Sequence, residues 1–275
     1  MTPVAPFRVA LVQMVSTPSV AENLDAAGKL VAEAAGQGAK LVALPEYFCI
    51  LGMRDTDKVA AKEKDGAGPI QEFLSGAAKR HGVWLVGGSV PLEASDSRKV
   101  RNSCLIYDAD GRRVARYDKI HLFGLELGAE RFDEGRTIEP GTAPCAIDSP
   151  FGRIAVSVCY DVRFPEIYRA LAPVDLILVP SAFTATTGRA HWETLLRARA
   201  IENLAWVLAP AQGGTHPNGR QTHGHSMVVD PWGKVVAERA TGAGVVTADI
   251  DPAFQARMRK SLPALAHRVL QERRQ

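Results

Sequence analysis

Three predicted strand ends in this chain carry a side chain that can do chemistry. Glu46 follows Leu41-Val42-Ala43-Leu44-Pro45, Lys119 follows Arg116-Tyr117-Asp118, and Cys159 follows Ile154-Ala155-Val156-Ser157-Val158. In α/β sheets the carboxyl edges of strands are where sites form, so three such ends on neighbouring strands could converge. Their chemistry is complementary. A thiol with its ordinary pKa of ~8.5 is mostly protonated at neutral pH and needs activation. A nearby carboxylate can take its proton. An ammonium favours the thiolate and steadies the oxyanion that forms when sulfur attacks a carbonyl. The backbone N–H of Tyr160, next after the thiol, is placed to be a second oxyanion donor. Taken singly, each residue has a plainer role as a core cysteine, a loop carboxylate or a solvated lysine. Only their joint context argues for a site.

The elements that must position them are short. β-rich runs fall at 8–14, 40–46, 83–90, 103–108, 153–159, 175–181, 205–211, 225–230 and 244–250, and several are apolar throughout, as for strands covered on both faces. Between them, Ser19-Val20-Ala21-Glu22 reads as a capping box, with Ser19 capping and Glu22 reaching back. Val20, Leu24, Ala27, Val31 and Ala34 then form one apolar helical face, which Gly36-Gln37-Gly38 ends. A second helix over 189–204 turns Trp192, Leu195, Leu196 and Ile201 inward. Asp110-Gly111 and Trp232-Gly233 read as hairpin turns. The mixture predicts an α/β fold in which two sheets pack on each other with helices outside, in a single domain over 1–275.

Composition narrows the partners. Of 275 residues, 46% are hydrophobic and 23% charged, an ordinary globular balance, and the net charge is only +3. Basic residues are scattered without aromatic interleaving, which argues against nucleic acid as a partner. No apolar run approaches the ~18 residues of a membrane span, and no signal peptide is recognisable. Cys49, Cys104, Cys145 and Cys159 show neither a CxxC pair nor a framework spacing, so they read as reduced thiols of a cytoplasmic protein.

Leu44-Pro45-Glu46, Asp118-Lys119-Ile120-His121-Leu122 and Cys159-Tyr160-Asp161-Val162-Arg163-Phe164-Pro165-Glu166, in that order, resemble the motifs of the nitrilase superfamily of carbon–nitrogen hydrolases. The likeness runs from Val9 to Arg268. It implies a four-layer α-β-β-α sandwich, a Glu46–Lys119–Cys159 triad, a thioester intermediate, no metal or organic cofactor, and a homodimer or larger homo-oligomer. The superfamily usually has a second glutamate near the thiol, and Arg131-Phe132-Asp133-Glu134-Gly135 matches its place, which points to Glu134. The stretches at 180–203 and 224–238 are most similar to the Nit-type amidases, in particular the branch that acts on deaminated glutathione. On that likeness Tyr47, Ser181 and Phe183 belong to the pocket, although Tyr47 and His223 depart from the branch's usual residues. The implied reaction is hydrolysis of a small anionic amide, first deaminated glutathione to 2-oxoglutarate and cysteinylglycine. The alternatives are an ω-amidase acting on 2-oxoglutaramate or 2-oxosuccinamate, another amidase, or an N-carbamoyl amino acid hydrolase.

Other polar residues admit two readings. Arg163 either binds a substrate carboxylate or pairs with Asp161 or Glu166. Arg220, in a loop, either holds the far carboxylate of a peptide-like substrate or is solvated. His223-Gly224-His225 would set two imidazoles on one strand face, either as metal ligands or as hydrogen-bonded histidines. His191 reads as a buried structural histidine. A Cys–His hydrolase using His191 or His223 as base, and a catalytically dead binding protein on the same fold, are the competing classes. Gly87-Gly88-Ser89 is too short for a phosphate loop.

Overall fold

The computed structural model describes residues 5–128 and 130–270, so both ends of the expected 1–275 domain lie outside the described residues. The first half runs β1 (Phe7–Gln13), α1 (Val20–Gly36), β2 (Leu41–Ala43), α2 (Asp57–Ala60), α3 (Pro69–His81), β3 (Trp84–Val86), β4 (Val90–Glu93), β5 (Val100–Tyr107) and β6 (Arg113–Asp118). A hairpin of β7 (Gly124–Leu127) and β8 (Glu130–Asp133) follows. The second half comprises β9 (Cys145–Ser149), β10 (Gly152–Val156), α4 (Pro165–Leu171), β11 (Leu176–Leu178), α5 (Ala185–Asn203), β12 (Trp206–Ala209), β13 (Ser226–Val229), β14 (Val235–Arg239), β15 (Gly244–Ile250) and α6 (Pro252–Ser261).

Two sheets result. One has seven strands in the order β15-β1-β2-β3-β5-β4, with β6 beside β5, and the other has six in the order β14-β13-β12-β11-β10-β9. β1, β2 and β3 are mutually parallel, as are β10, β11 and β12, so the strands ending near Glu46 and Cys159 present carboxyl edges. The alternation of side chains assembles the layers. Val9, Leu11, Leu41, Ala43 and Val86 meet Ile154, Val156, Leu176 and Leu178 in one core, whereas Ala10, Val12, Val42 and Leu85 on the opposite face pack with Ala27 and Val31 of α1 and Leu74 and Ala78 of α3. On the far side of the second sheet, Ile167 and Tyr168 of α4 and Trp192, Leu196 and Ala200 of α5 join the core. This is the α-β-β-α sandwich. Burial of each such large side chain contributes about 1.5–3 kcal/mol. Gln13 ties the layers at one edge, accepting from the Ser226 N–H at 3.0 Å and its hydroxyl at 2.9 Å.

Several local expectations need correcting. The run 83–90 is not one strand: Gly87 and Gly88 break it, Gly88 at φ +53°. The strand of 153–159 stops at Val156, which leaves Cys159 in a separate 3-10 turn, Cys159–Arg163. The helix expected from 189 starts at Ala185, because the Thr184 hydroxyl caps it by accepting from the Thr187 N–H at 3.2 Å. Ile201 on that helix faces outward and is 46% exposed. Ser19 does cap α1, but the Glu22 carboxylate accepts from the Thr17 hydroxyl rather than reaching the Ser19 backbone. Among the described residues no helix is long and apolar enough to cross a membrane.

Gly88 is what lets β3 and β4 pass the Glu46 turn. A Cβ there would stand 2.0 Å from the Pro45 carbonyl oxygen, on top of the strain of φ +53°. Gly38, at φ +86°, has open space around it. Gly88→Ala is therefore expected to destabilise by about 2 kcal/mol or more and to reduce activity by moving Glu46, while Gly38→Ala costs about 1 kcal/mol with activity kept. Thermal melts and turnover of the two variants check this, and equal effects would remove the close-packing argument.

Candidate active site

Glu46, Lys119 and Glu134 lie together. Glu46 stands in a turn three residues past β2, Lys119 one residue past β6, and Glu134 at the start of a 3-10 turn at the root of the β7–β8 hairpin. The Lys119 ammonium donates to Glu46 Oε1 at 2.9 Å and to Glu134 Oε1 and Oε2 at 3.0 and 2.8 Å. Lys119 and Glu46 are buried, and the Glu134 side chain is only 14% exposed.

Further donors hold the carboxylates in place. Asn102 Nδ2 donates to Glu46 Oε1 at 2.9 Å, which leaves Glu46 Oε2 outside these bonds. Glu134 has no such spare oxygen, because the Tyr47 hydroxyl donates to Oε1 at 2.9 Å and the Phe123 N–H to Oε2 at 2.7 Å. The Glu46 turn is pinned through its backbone as well. The Ser89 hydroxyl accepts from the Tyr47 N–H at 2.9 Å, and Gln212 Nε2 donates to the Glu46 carbonyl at 3.1 Å.

Cys159 faces the same pocket as Glu46 and Glu134. It adopts φ +51°, unusual for a residue with a Cβ, and its N–H donates to the Pro180 carbonyl at 2.9 Å. Asp161, fully buried two residues on, fixes this turn. Its carboxylate accepts from the Val158 N–H at 2.9 Å, the Tyr117 hydroxyl at 2.7 Å and the His121 N–H at 3.0 Å, with His121 Nδ1 at 2.8 Å. His121 follows Lys119 by two positions, so Asp161 joins the lysine-bearing loop to the cysteine-bearing turn. Tyr160 lies in the first turn of the 3-10 helix, where its N–H has no partner within that helix.

The electrostatics differ from the simple expectation that Lys119 favours a thiolate. Burial pushes the Cys159 thiol well above its ordinary range; the Glu46 charge adds to that, Lys119 opposes it, and Glu134 adds again. Two carboxylates against one ammonium leave the cluster net negative. Burial lowers the Lys119 pKa, but the Glu134 and Glu46 charges outweigh it and the result is raised. Burial works against ionised Glu134, yet Lys119 holds its carboxyl below the usual range. Lys119 is thus a permanent cation.

The remaining expected residues divide. Phe183 and Arg163 line the pocket, with the Arg163 guanidinium 5.5 Å from the Tyr160 ring centre and 5.3 Å from that of Phe183. Arg163 pairs with neither Asp161 nor Glu166; its nearest polar side-chain partner is His191 Nδ1 at 3.3 Å. His191 is exposed rather than buried. The Ser181 hydroxyl turns away to the Val179 carbonyl at 2.9 Å and does not line the pocket. Tyr47 instead lines a wider cavity outside it, and Arg220 lines both. His223 and His225 precede β13 rather than lying on a strand; their rings stack 4.2 Å apart, and His225 is bonded to Glu238. Among the described residues no group of three or more His, Cys, Asp and Glu could hold a metal. Asn102, Asp161, Ser89 and Gln212 were missed. A polar residue inside an otherwise apolar strand, as Asn102 is in β5, was the available signal for the first.

Comparison with known proteins gives the family and the fold. The carbon-nitrogen hydrolase family matches residues 8–260. The chain belongs to that family. This carbon–nitrogen hydrolase is 40% identical over 270 residues to the deaminated glutathione amidase of Synechocystis, covering 96% of this chain and 98% of the relative. It is 39% identical over 263 residues to the omega-amidase NIT2 of Xenopus tropicalis, covering 94% of each. Saccharomyces cerevisiae Nit3, a member of branch 10 of the nitrilase superfamily, superposes with a TM-score of 0.86 at 31% identity, over 98% of this chain and 97% of that one.

Two expectations follow for the hydrolase. The Cys159 thiol stays protonated through neutral pH, so ultraviolet thiolate absorbance of the wild type minus Cys159→Ala is flat across about pH 6–9. A step in that range would reveal a preformed thiolate. Asp161→Ala leaves the Val158 N–H, the Tyr117 hydroxyl and His121 without their acceptor, and lowers stability by about 3 kcal/mol in denaturant titration, with activity falling too. Unchanged activity in a destabilised variant would limit Asp161 to the fold.

Proposed function

We propose that the protein is a cysteine-dependent amidase with Cys159 as nucleophile, Glu46 as general base and Lys119 as oxyanion donor. The observation that carries this reading is the division of labour between the two carboxylates. Glu134 is saturated by Lys119, Tyr47 and the Phe123 N–H and acts as a positioning residue, whereas Glu46 keeps Oε2 available beside Cys159.

Glu46 takes the thiol proton as sulfur attacks the amide carbonyl, so the S–C bond forms while the carbonyl oxygen gains charge. Lys119 and the Tyr160 N–H stabilise that oxygen. Collapse breaks the C–N bond, and the proton held on Glu46 goes to the leaving amine. Glu46 then takes a proton from water, which attacks the thioester and restores the thiol. Proton transfer at the moment of attack suits a thiol whose surroundings disfavour its anion.

The substrate we infer is a small anionic amide, first deaminated glutathione, cleaved to 2-oxoglutarate and cysteinylglycine. Support comes from the similarity to a deaminated glutathione amidase along nearly the whole of both chains. Arg163, lining the pocket without a carboxylate partner among the described residues, suits the carboxylate of the acyl half. We infer one catalytic unit over the whole chain, in a cytoplasmic homodimer or larger homo-oligomer. Ile201 and Trp232, 46% and 56% exposed on neighbouring elements, supply apolar surface for pairing.

The test supplies purified protein with deaminated glutathione in one assay and 2-oxoglutaramate in another, following 2-oxoglutarate and, for the second, ammonia. Faster turnover of deaminated glutathione is expected, with Cys159→Ala and Glu46→Gln each reducing kcat by at least about 1,000-fold while the fold is kept. Preference for 2-oxoglutaramate would move the protein to ω-amidase activity. Substantial turnover by either variant would overturn the residue roles.

A further inference from the structure

Beyond the catalytic pocket, Thr184 and Arg220 also border a second cavity of about 480 Å³, which the acyl-transfer steps do not use. Its walls carry Arg54, Lys58, Arg189 and Arg220 against Asp55 and Glu130. Acids neutralise these cations only in part, Arg54 lying 3.6 Å from Asp57. Glu130 accepts from the Thr186 hydroxyl at 2.7 Å, and Asp55 is 4.0 Å from Lys58.

Two of the cations are set inward. The Lys58 side chain is only 15% exposed, its ammonium 3.3 Å from the Thr137 hydroxyl and 5.6 Å from the centre of the Tyr47 ring. Arg220 donates through Nη2 to the Ala182 carbonyl at 2.9 Å and lies 5.3 Å from the Phe132 ring centre. Its Nε is buried with no partner among the described residues. Ala185 and Thr186, in the first turn of α5, add the positive end of a helix to the same wall. Burial lowers the Lys58 pKa, the Asp55 and Glu134 charges act the other way, and the Arg220 and Lys119 charges lower it again, so an incoming anion would favour the ammonium.

We propose that this outer cavity is a carboxylate-binding subsite for the leaving half of an extended amide, with Lys58 and Arg220 as its ligating cations and Arg189 at its rim. Its ligand class is a short peptide-like amine that ends in a carboxylate. Two extended residues span about 7 Å, a length that a cavity of about 480 Å³ holds. Ammonia as leaving group would have no use for it. The inference rests on the amidase reading above and extends it from the acyl half of the substrate to the amine half.

The experiment compares deaminated glutathione with its glycinamide analogue, in which only the terminal carboxylate becomes a carboxamide. Wild type is expected to favour the acid about 10- to 100-fold in kcat/KM, chiefly through KM, as a charge-assisted hydrogen bond would give. In Lys58→Gln and Arg220→Gln that ratio falls toward one, whatever happens to the absolute rates, and Lys58→Arg retains most of it. A wild-type ratio near one, or a ratio unchanged in both glutamine variants, overturns the subsite. Product inhibition keeps the question answerable without folded variants and without turnover of deaminated glutathione. Cysteinylglycine should inhibit hydrolysis of any accepted amide about 10-fold more strongly than cysteinylglycinamide. Equal inhibition overturns the subsite, whereas failure to hydrolyse deaminated glutathione with the inhibition difference intact overturns only the substrate named above.

Discussion

Everything near Cys159 depends on one buried ammonium shared by two carboxylates. Taking three charges out of water costs several kcal/mol for each, and only near-ideal geometry offsets it. Here three donor contacts from Lys119 reach three carboxylate oxygens, and Asn102, Tyr47 and the Phe123 N–H add one more donor to each of the same three, with Glu46 Oε2 left outside these bonds. Those contacts tolerate errors of only a few tenths of an ångström. The ends of β2 and β6 and the root of the β7–β8 hairpin must therefore be held rigidly, which is what two closely packed sheets provide. The net negative charge has a chemical consequence. It opposes a resting thiolate, so in the proposed mechanism the thiol and its proton acceptor act in the same step. A histidine-based mechanism finds no base here, since His191 is exposed beside Arg163 and His223 lies outside the pocket.

Two of the four described non-glycine residues with positive φ sit just past the ends of β2 and β10. Tyr47 and Cys159 both take left-handed backbone conformations, φ +56° and +51°, at a cost of order 1–3 kcal/mol each. Each is held by a hydrogen bond from its own N–H, to the Ser89 hydroxyl and the Pro180 carbonyl respectively. For Cys159 the Asp161 carboxylate adds a second restraint through Val158. The sharp turns point the flanking side chains off the sheet edge and into a common pocket. A strand continuing straight from Val156 would instead have carried Cys159 to the face of Ser157, which meets Tyr168 of α4.

How much of this was legible in the sequence follows from the range of the forces involved. Apolar runs of strand length bury themselves by a local rule, so β1, β5 and β15 could be read directly, and the two-sheet arrangement followed from their number. The convergence of Glu46, Lys119 and Cys159 was legible as a combination of residue types at predicted strand ends. Their partners were not. Asn102, Asp161 and Gln212 act through contacts 56, 40 and 166 positions away, and no local pattern marks such pairings. Ser181 was misjudged because the direction of one hydroxyl depends on whether a carbonyl two residues back is nearer than the pocket. Ile201 was misplaced because a helix on a sandwich has a covered stripe whose width depends on its neighbours. The split at Gly87-Gly88 reflects close approach to Pro45, a contact across 43 positions that the short glycine run alone did not disclose.

The pocket joins a rigid part to an adjustable one. Around Cys159 the inner space is only about 10 Å³, room for about one water, so an acyl group enters only if a lining side chain yields. The catalytic groups cannot yield cheaply. Breaking a buried pair such as Lys119–Glu46 costs about 3–5 kcal/mol. Arg163 is held differently, by two aromatic faces and a contact to His191, interactions of about 0.5–1 kcal/mol each at a partly exposed site. A substrate carboxylate would offer its guanidinium a stronger partner than any it leaves. The lowest-energy way to open the pocket is thus to move Arg163, the residue proposed to bind the substrate carboxylate, with the Lys119–Glu46–Glu134 geometry left undisturbed.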